Sequence, residues 1–138
     1  GFERLKSRVE AARAAAGAEP GDQILATGRA YILFAAAQPA LFRLMFGPRR
    51  SARQAEAVGV AGRAAFESLV EVMRGGIAAG ALREGDPRDA AHAAWSLVHG
   101  MAILAIDSGA PLTAEDRADL SARLGSAHAL MMEGLRPR

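Results

Sequence analysis

Three histidines, His92, His99 and His128, are the side chains of this sequence best suited to hold a metal ion or to move a proton near neutral pH. Their spacing argues against a shared ion. On one helix, the seven residues from His92 to His99 amount to about 10 Å, whereas chelation from one helix face needs a spacing of three or four residues. The chain has no cysteine, so thiol nucleophiles, disulfides and sulfur-ligated zinc are excluded. Ser96, His99 and Asp107 suggest a catalytic triad, because a serine three residues before a histidine shares its helix face. Asp107 breaks that reading: about 12 Å further along the same helix, it cannot orient the imidazole. There is no strained nucleophile elbow and no pair of facing carboxylates, and Gly59 and Gly62 lack the lysine and spacing of a phosphate loop. The sequence therefore predicts neither an enzyme nor a metal or cofactor site.

Two other groups carry less specific chemistry. Arg49, Arg50 and Arg53 form a tight basic cluster at a helix start, where positive charge is disfavoured, so a solvated loop or a protein partner is expected there. Tyr31, Phe34, Phe42, Met45, Phe66, Met73 and Trp95 concentrate aromatic and flexible apolar side chains in the middle helices. With His99 as a possible polar partner, these eight residues are the expected lining of a pocket for a small, mainly apolar ligand. His92 is expected to face solvent.

Six helical segments must position these residues, and no stretch shows the alternation of a strand. The first is expected over about Phe2 to Ala16, with Phe2, Leu5 and Val9 on one stripe. After a Gly17 to Gly21 linker, Asp22 is the expected N-cap of a helix reaching about Gln38, with Leu25, Gly28, Ile32 and Ala35 on one face. Pro39 opens a short helix to Phe46. Ser51 caps a long one through about Ala79, carrying Val58, Ala65, Phe66, Leu69, Val70, Met73 and Ile77, with a bend expected at Gly75 and Gly76. Asp86 and Pro87 start a fifth helix to about Ser108, with Ala91, Trp95, Val98, Ala102 and Ile106 inward. Thr113 and Asp116 start the last, with Leu120, Leu124, Ala127 and Met131 in register, ending at Gly134. The fold class is all-α, a six-helix bundle.

The 138 residues fit one domain, and 51% apolar with 23% charged residues is the balance of a globular chain. The net charge of +2 is too small to neutralise a run of phosphates, so nucleic-acid binding by this segment is disfavoured. The longest solid apolar stretch, Ala30 to Ala37, is far short of the ~20 residues of a membrane span. Gly1 to Arg8 do not resemble a signal peptide, and a cytoplasmic location is expected. The chain opens inside an amphipathic helix with glycine in place of an initiator methionine, which suggests that a preceding segment was removed.

Two strings, Gly28-Arg29-Ala30-Tyr31 through Pro39-Ala40-Leu41-Phe42-Arg43-Leu44-Met45-Phe46-Gly47, and Trp95-Ser96-Leu97-Val98-His99-Gly100, carry a resemblance. Together they resemble the C-terminal domain of TetR-type transcriptional regulators, in the subgroup named for its tryptophan, histidine and glycine, which Trp95, His99 and Gly100 match. The resemblance covers nearly the whole chain. It implies that residues 1–138 are an effector-binding and dimerisation domain, normally preceded by an operator-binding helix-turn-helix of about fifty residues. DNA would be reached only through that absent module. The resemblance further implies a homodimer formed by the last two long helices, for which Ala102, Ile103, Ala105, Ile106, Leu120, Leu124, Ala127 and Met131 are the expected contacts. It implies control by a small effector that shifts the first helix, with Phe2, Leu5 and the Pro39 helix as coupling elements. Gly100 is expected to be a close-packing site. The competing expectation is a stand-alone helical bundle that binds a hydrophobic ligand or partner and has no DNA-binding role.

Overall fold

A computed structural model describes residues 1–48 and 51–138, excluding the side chains of 54, 57 and 58. Arg49, Arg50 and the Val58 side chain therefore lie outside the described residues. The described residues form six α-helices and no strand: α1 (Phe2–Ala15), α2 (Pro20–Ala37), α3 (Pro39–Phe46), α4 (Ala52–Ala78), α5 (Pro87–Ile106) and α6 (Ala114–Gly134). The expected all-α, six-helix architecture is the observed one.

The helix starts follow the local chemistry. The Asp86 carboxylate accepts from the Arg88 N–H at 2.8 Å, with Pro87 at the first helical position. Thr113 and Asp116 form a reciprocal capping box, with bonds of 3.1 and 2.8 Å. Asp22 is not the N-cap of α2. The helix starts two residues earlier at Pro20, whose fixed φ and missing N–H suit the first position, and Asp22 lies in the first turn. Gly75 and Gly76, where a bend was expected, lie within α4, which is continuous to Ala78. Gly76 serves a different purpose: a Cβ there would lie 2.8 Å from Leu82 Cδ1, so its bare backbone lets the chain after α4 fold back tightly.

Helix α2 is the central element, packed against α1, α4, α5, α6 and α3. Gly28 makes this possible, because a Cβ there would approach Val98 to 3.2 Å and Leu124 to 3.6 Å. Two buried clusters flank it. One gathers Leu5, Tyr31, Ile32, Phe34, Phe42, Met45, Ala102, Ile106 and Leu124. The other gathers Ile24, Val70, Val72, Met73, Leu82, Ala90, Ala91 and Ala94. Phe34, Phe42, Ile32, Met73, Leu124 and Val70 are the largest fully buried side chains, each contributing about 1.5–3 kcal/mol from burial. Arg43 ties α3 to the end of α5 by donating to the Ile106 carbonyl and pairing with Asp107 at 3.7 Å, a cation placed where the helix carbonyls are unsatisfied.

Candidate functional site: an apolar cavity between the two clusters

Where the clusters meet, α1, α2, α4, α5 and α6 enclose a cavity of about 360 Å³, within the usual range for a small-molecule site. Helix α1 contributes Phe2, Leu5 and Val9, and α2 contributes Ile24, Leu25, Thr27, Gly28 and Tyr31. The face of α4 turned to the cavity carries Gly59, Gly62, Phe66 and Leu69, and α5 adds Trp95 and Val98. Leu124, His128 and Met131 close it from α6. Among the exposed or half-exposed lining residues, Lys6, Glu10 and Arg13 from α1 and Arg63 from α4 are charged. The cavity therefore has apolar walls and a charged rim.

Its polar interior centres on Tyr31. The phenol and His99 Nδ1 share a hydrogen bond of 2.8 Å, and Trp95 also hydrogen-bonds the phenol. The donor in the bond to His99 is set by the imidazole tautomer, the phenol O–H donating when Nδ1 is unprotonated. Burial pushes the Tyr31 pKa far above its ordinary value, with the Trp95 bond opposing weakly. Desolvation likewise lowers the His99 pKa, so both groups are neutral at pH 7. Four rings enclose His99: Phe46 at 4.8 Å, Trp95 at 5.1 Å, Phe42 at 5.5 Å and Tyr31 at 6.2 Å between centroids. Phe2 extends this cluster edge-on to Phe46 at 5.3 Å. The Thr27 hydroxyl is held by the Gln23 and Ile24 carbonyls. His128 sits at the opposite end near Asp22 and hydrogen-bonds the Gly21 backbone, and desolvation outweighs both to lower its pKa.

Of the eight residues expected to line a pocket, Tyr31, Phe66 and Trp95 do so. Phe34, Phe42, Met45 and Met73 do not: all four are buried in the two clusters, where close packing leaves them no face toward the cavity. His99 stands behind Tyr31 and reaches the cavity only through the phenol. His92 is exposed as expected, yet its ring stacks on Phe66 at 4.5 Å and borders the cavity. Most of the α1 lining and the glycines of α4 were not among the residues expected there. Gly59, Gly62, Phe66 and Leu69 recur at helical spacing, which was the available signal for a cavity-facing stripe beside the Val70-Met73-Ile77 core stripe.

The expected dimer contacts also need revision. Ala102, Ile106 and Leu124 are buried within their own chain and have no surface to offer a second copy. They face α2, while Leu104 and Leu130 are 78% and 77% exposed on the opposite sides of α5 and α6. Gly100 is exposed, and a Cβ added there would have no neighbour within 4 Å, so it is not a close-packing site within the chain.

No group of three or more histidine, cysteine or acidic side chains among the described residues could hold a metal ion, and no single described helix is long and apolar enough to cross a membrane. The fold and cavity define an all-helical domain organised around an internal apolar site. Residues 24–127 match the family described as tetracyclin repressor-like, C-terminal domain, and the chain belongs to that family. It is also similar to a solved structure of a protein with unknown function from Rhodococcus sp. RHA1, with 29% identity and a TM-score of 0.83 over 98% of this chain and 68% of that one. Comparison with curated proteins found no match.

Proposed function

We propose that this chain is the effector-binding and dimerisation domain of a TetR-type regulator, in which a small, mostly apolar ligand controls operator binding by an N-terminal helix-turn-helix. The family membership supports a regulatory rather than catalytic role. The observation that carries the ligand reading is the apolar cavity, which touches both clusters and is lined at one end by Phe2 and Phe46. A ligand there would press on the start of α1 and on α3, the segments nearest to a preceding DNA-binding module, and shift the population of its conformations. Trp95 and His99, with Gly100, keep the resemblance to the tryptophan-histidine-glycine subgroup.

The dimer face we propose is the one turned away from α2. Ala93, Gly100 and Leu104 line that side of α5, and Ala122, Ser126, Ala129 and Leu130 that side of α6, all of them exposed. These small and apolar side chains let two helix pairs approach closely. Of the residues first expected there, Ile103, Ala105, Leu120, Ala127 and Met131 are half-buried and contribute at the margin.

Titration with the neutral dye N-phenylnaphthylamine tests the ligand reading. One dye per chain is expected to bind, and Phe66→Trp, which fills the cavity, is expected to weaken it about tenfold without unfolding the protein. Equal dye affinity in the variant would place the ligand site elsewhere.

A further inference from the structure

The rim of the cavity has a charge imbalance that the apolar interior does not explain. Its four charged side chains are Lys6, Arg13 and Arg63 against Glu10 alone, three cations to one anion. Glu10 is itself engaged, at 3.9 Å from the Lys6 ammonium. Arg63 has no acidic partner within 4.0 Å among the described residues, whereas Arg13, at the far end of α1, shares a neighbouring hollow with Glu19 and Glu71. Arg63 lies along α4 with Nη1 3.4 Å from a Cβ placed on Gly59, so its guanidinium lies over a glycine that itself lines the cavity. Lys6 and Arg13 are two turns apart on α1, with the cavity-lining Val9 and Glu10 between them. Helices α1 and α4 thus bring cationic groups to the rim from both sides.

We infer that the ligand is an anionic amphiphile, an apolar chain carrying a single acidic head group, whose chain enters between Phe2, Leu69 and Trp95 and whose head group stays at the rim against Arg63 of α4 and Lys6, one turn along α1 from Phe2. The inference rests on the ligand-binding reading above and adds the ligand's charge and polarity. A carboxylate accepts two parallel N–H bonds from a guanidinium, so arginine fixes its orientation as well as its charge. A cationic ligand would find aromatic walls in this cavity, but it would meet a net positive rim and one carboxylate already paired. The size is consistent. A volume of about 360 Å³ lies in the lower part of the range of small-molecule sites, as one medium-length chain requires.

Trp95 is the only tryptophan and lines the cavity, so its emission reports occupancy directly. Dodecanoate, dodecanol and dodecyltrimethylammonium, which share one chain length and differ in head group, are titrated below their micelle-forming concentrations. Dodecanoate is expected to bind about tenfold or more tighter than dodecanol, the size of one hydrogen bond to a charged group. The Lys6→Gln, Arg63→Gln double variant is expected to bring dodecanoate to the affinity of dodecanol, and Glu10→Gln, which frees Lys6, to tighten dodecanoate a few-fold, about the worth of one exposed ion pair. Dodecanol binding as tightly as dodecanoate, or the ammonium binding tightest, would overturn the head-group inference while leaving the cavity as the ligand site. If neither these probes nor the neutral dye bound, the ligand-binding reading itself would fall.

Discussion

The two buried clusters on either side of the cavity are built from different materials. The cluster joining α1, α3 and the end of α5 is aromatic, includes a hydrogen-bonded phenol and imidazole, and keeps Phe2, Phe46 and Trp95 only half-buried at its edge. The cluster joining α4, the start of α5 and the loop after α4 is aliphatic and alanine-rich, and is closed by Leu82 over Gly76. There the Arg83 N–H also donates to the Leu135 carbonyl at 2.8 Å, tying the loop to the end of α6. Rings stacked at an edge have alternative packings, whereas small side chains under a tight backbone crossing have few. The aromatic end is therefore the part of the domain able to respond to a ligand, and the aliphatic end is the part that holds still.

The largest expected effect breaks the aromatic end outright. Phe42 is fully buried and touches Tyr31, Phe46 and His99, so Phe42→Ala should cost about 3–5 kcal/mol in denaturant unfolding. A loss below about 1 kcal/mol would mean that this region is not tightly packed. The matching challenge to the aliphatic end is Gly76→Ala. The added methyl meets Leu82 Cδ1 and Cγ at 2.8 and 2.9 Å and Pro20 Cβ at 3.3 Å, and about 1–3 kcal/mol of stability should be lost, because more than the tip of the buried Leu82 side chain must shift. Unchanged stability would show that the crossing is not as tight as its geometry.

A smaller effect separates the polar pair from its surroundings. Tyr31→Phe removes the hydrogen bond to His99 and keeps the ring, so it should cost about 1 kcal/mol. The smallest effect is in pH dependence. The His99 and His128 pKa values are both lowered from the ordinary 6.5 by desolvation, so below 6.5 the unfolded chain binds protons that the folded one does not. Stability should consequently fall as pH drops from 6.5 through the lowered folded values, and level off below them. The His99→Gln, His128→Gln double variant should flatten that slope in urea midpoints measured across the range. An unchanged slope would assign the acid sensitivity to other groups.

The helices were legible because their signals are local. Asp86 with Pro87, and Thr113 with Asp116, announce helix starts within three or four residues. The cavity was legible only in part, because which large side chains face it depends on how α1 and α4 are rotated about α2. Phe42 and Phe66 are equally plausible lining residues by type, yet one is fully buried and the other borders the cavity. Lys6 and Arg13 reached the rim through the pairing of α1 with α4, which no spacing within either helix encodes. Ala102, Ile106 and Leu124 were expected to meet a second copy for a related reason: an apolar stripe shows that a face is covered, and Leu124 packs on α2 at Gly28 within its own chain.

Amide hydrogen exchange of the protein with and without saturating N-phenylnaphthylamine tests the difference between the two ends most directly. The account predicts that bound dye slows exchange in α1 and α3 as well as in the cavity wall, and changes the end of α4 beyond Val72 and the loop around Leu82 little. Protection confined to α4 and α5, with α1 and α3 unchanged, would contradict it.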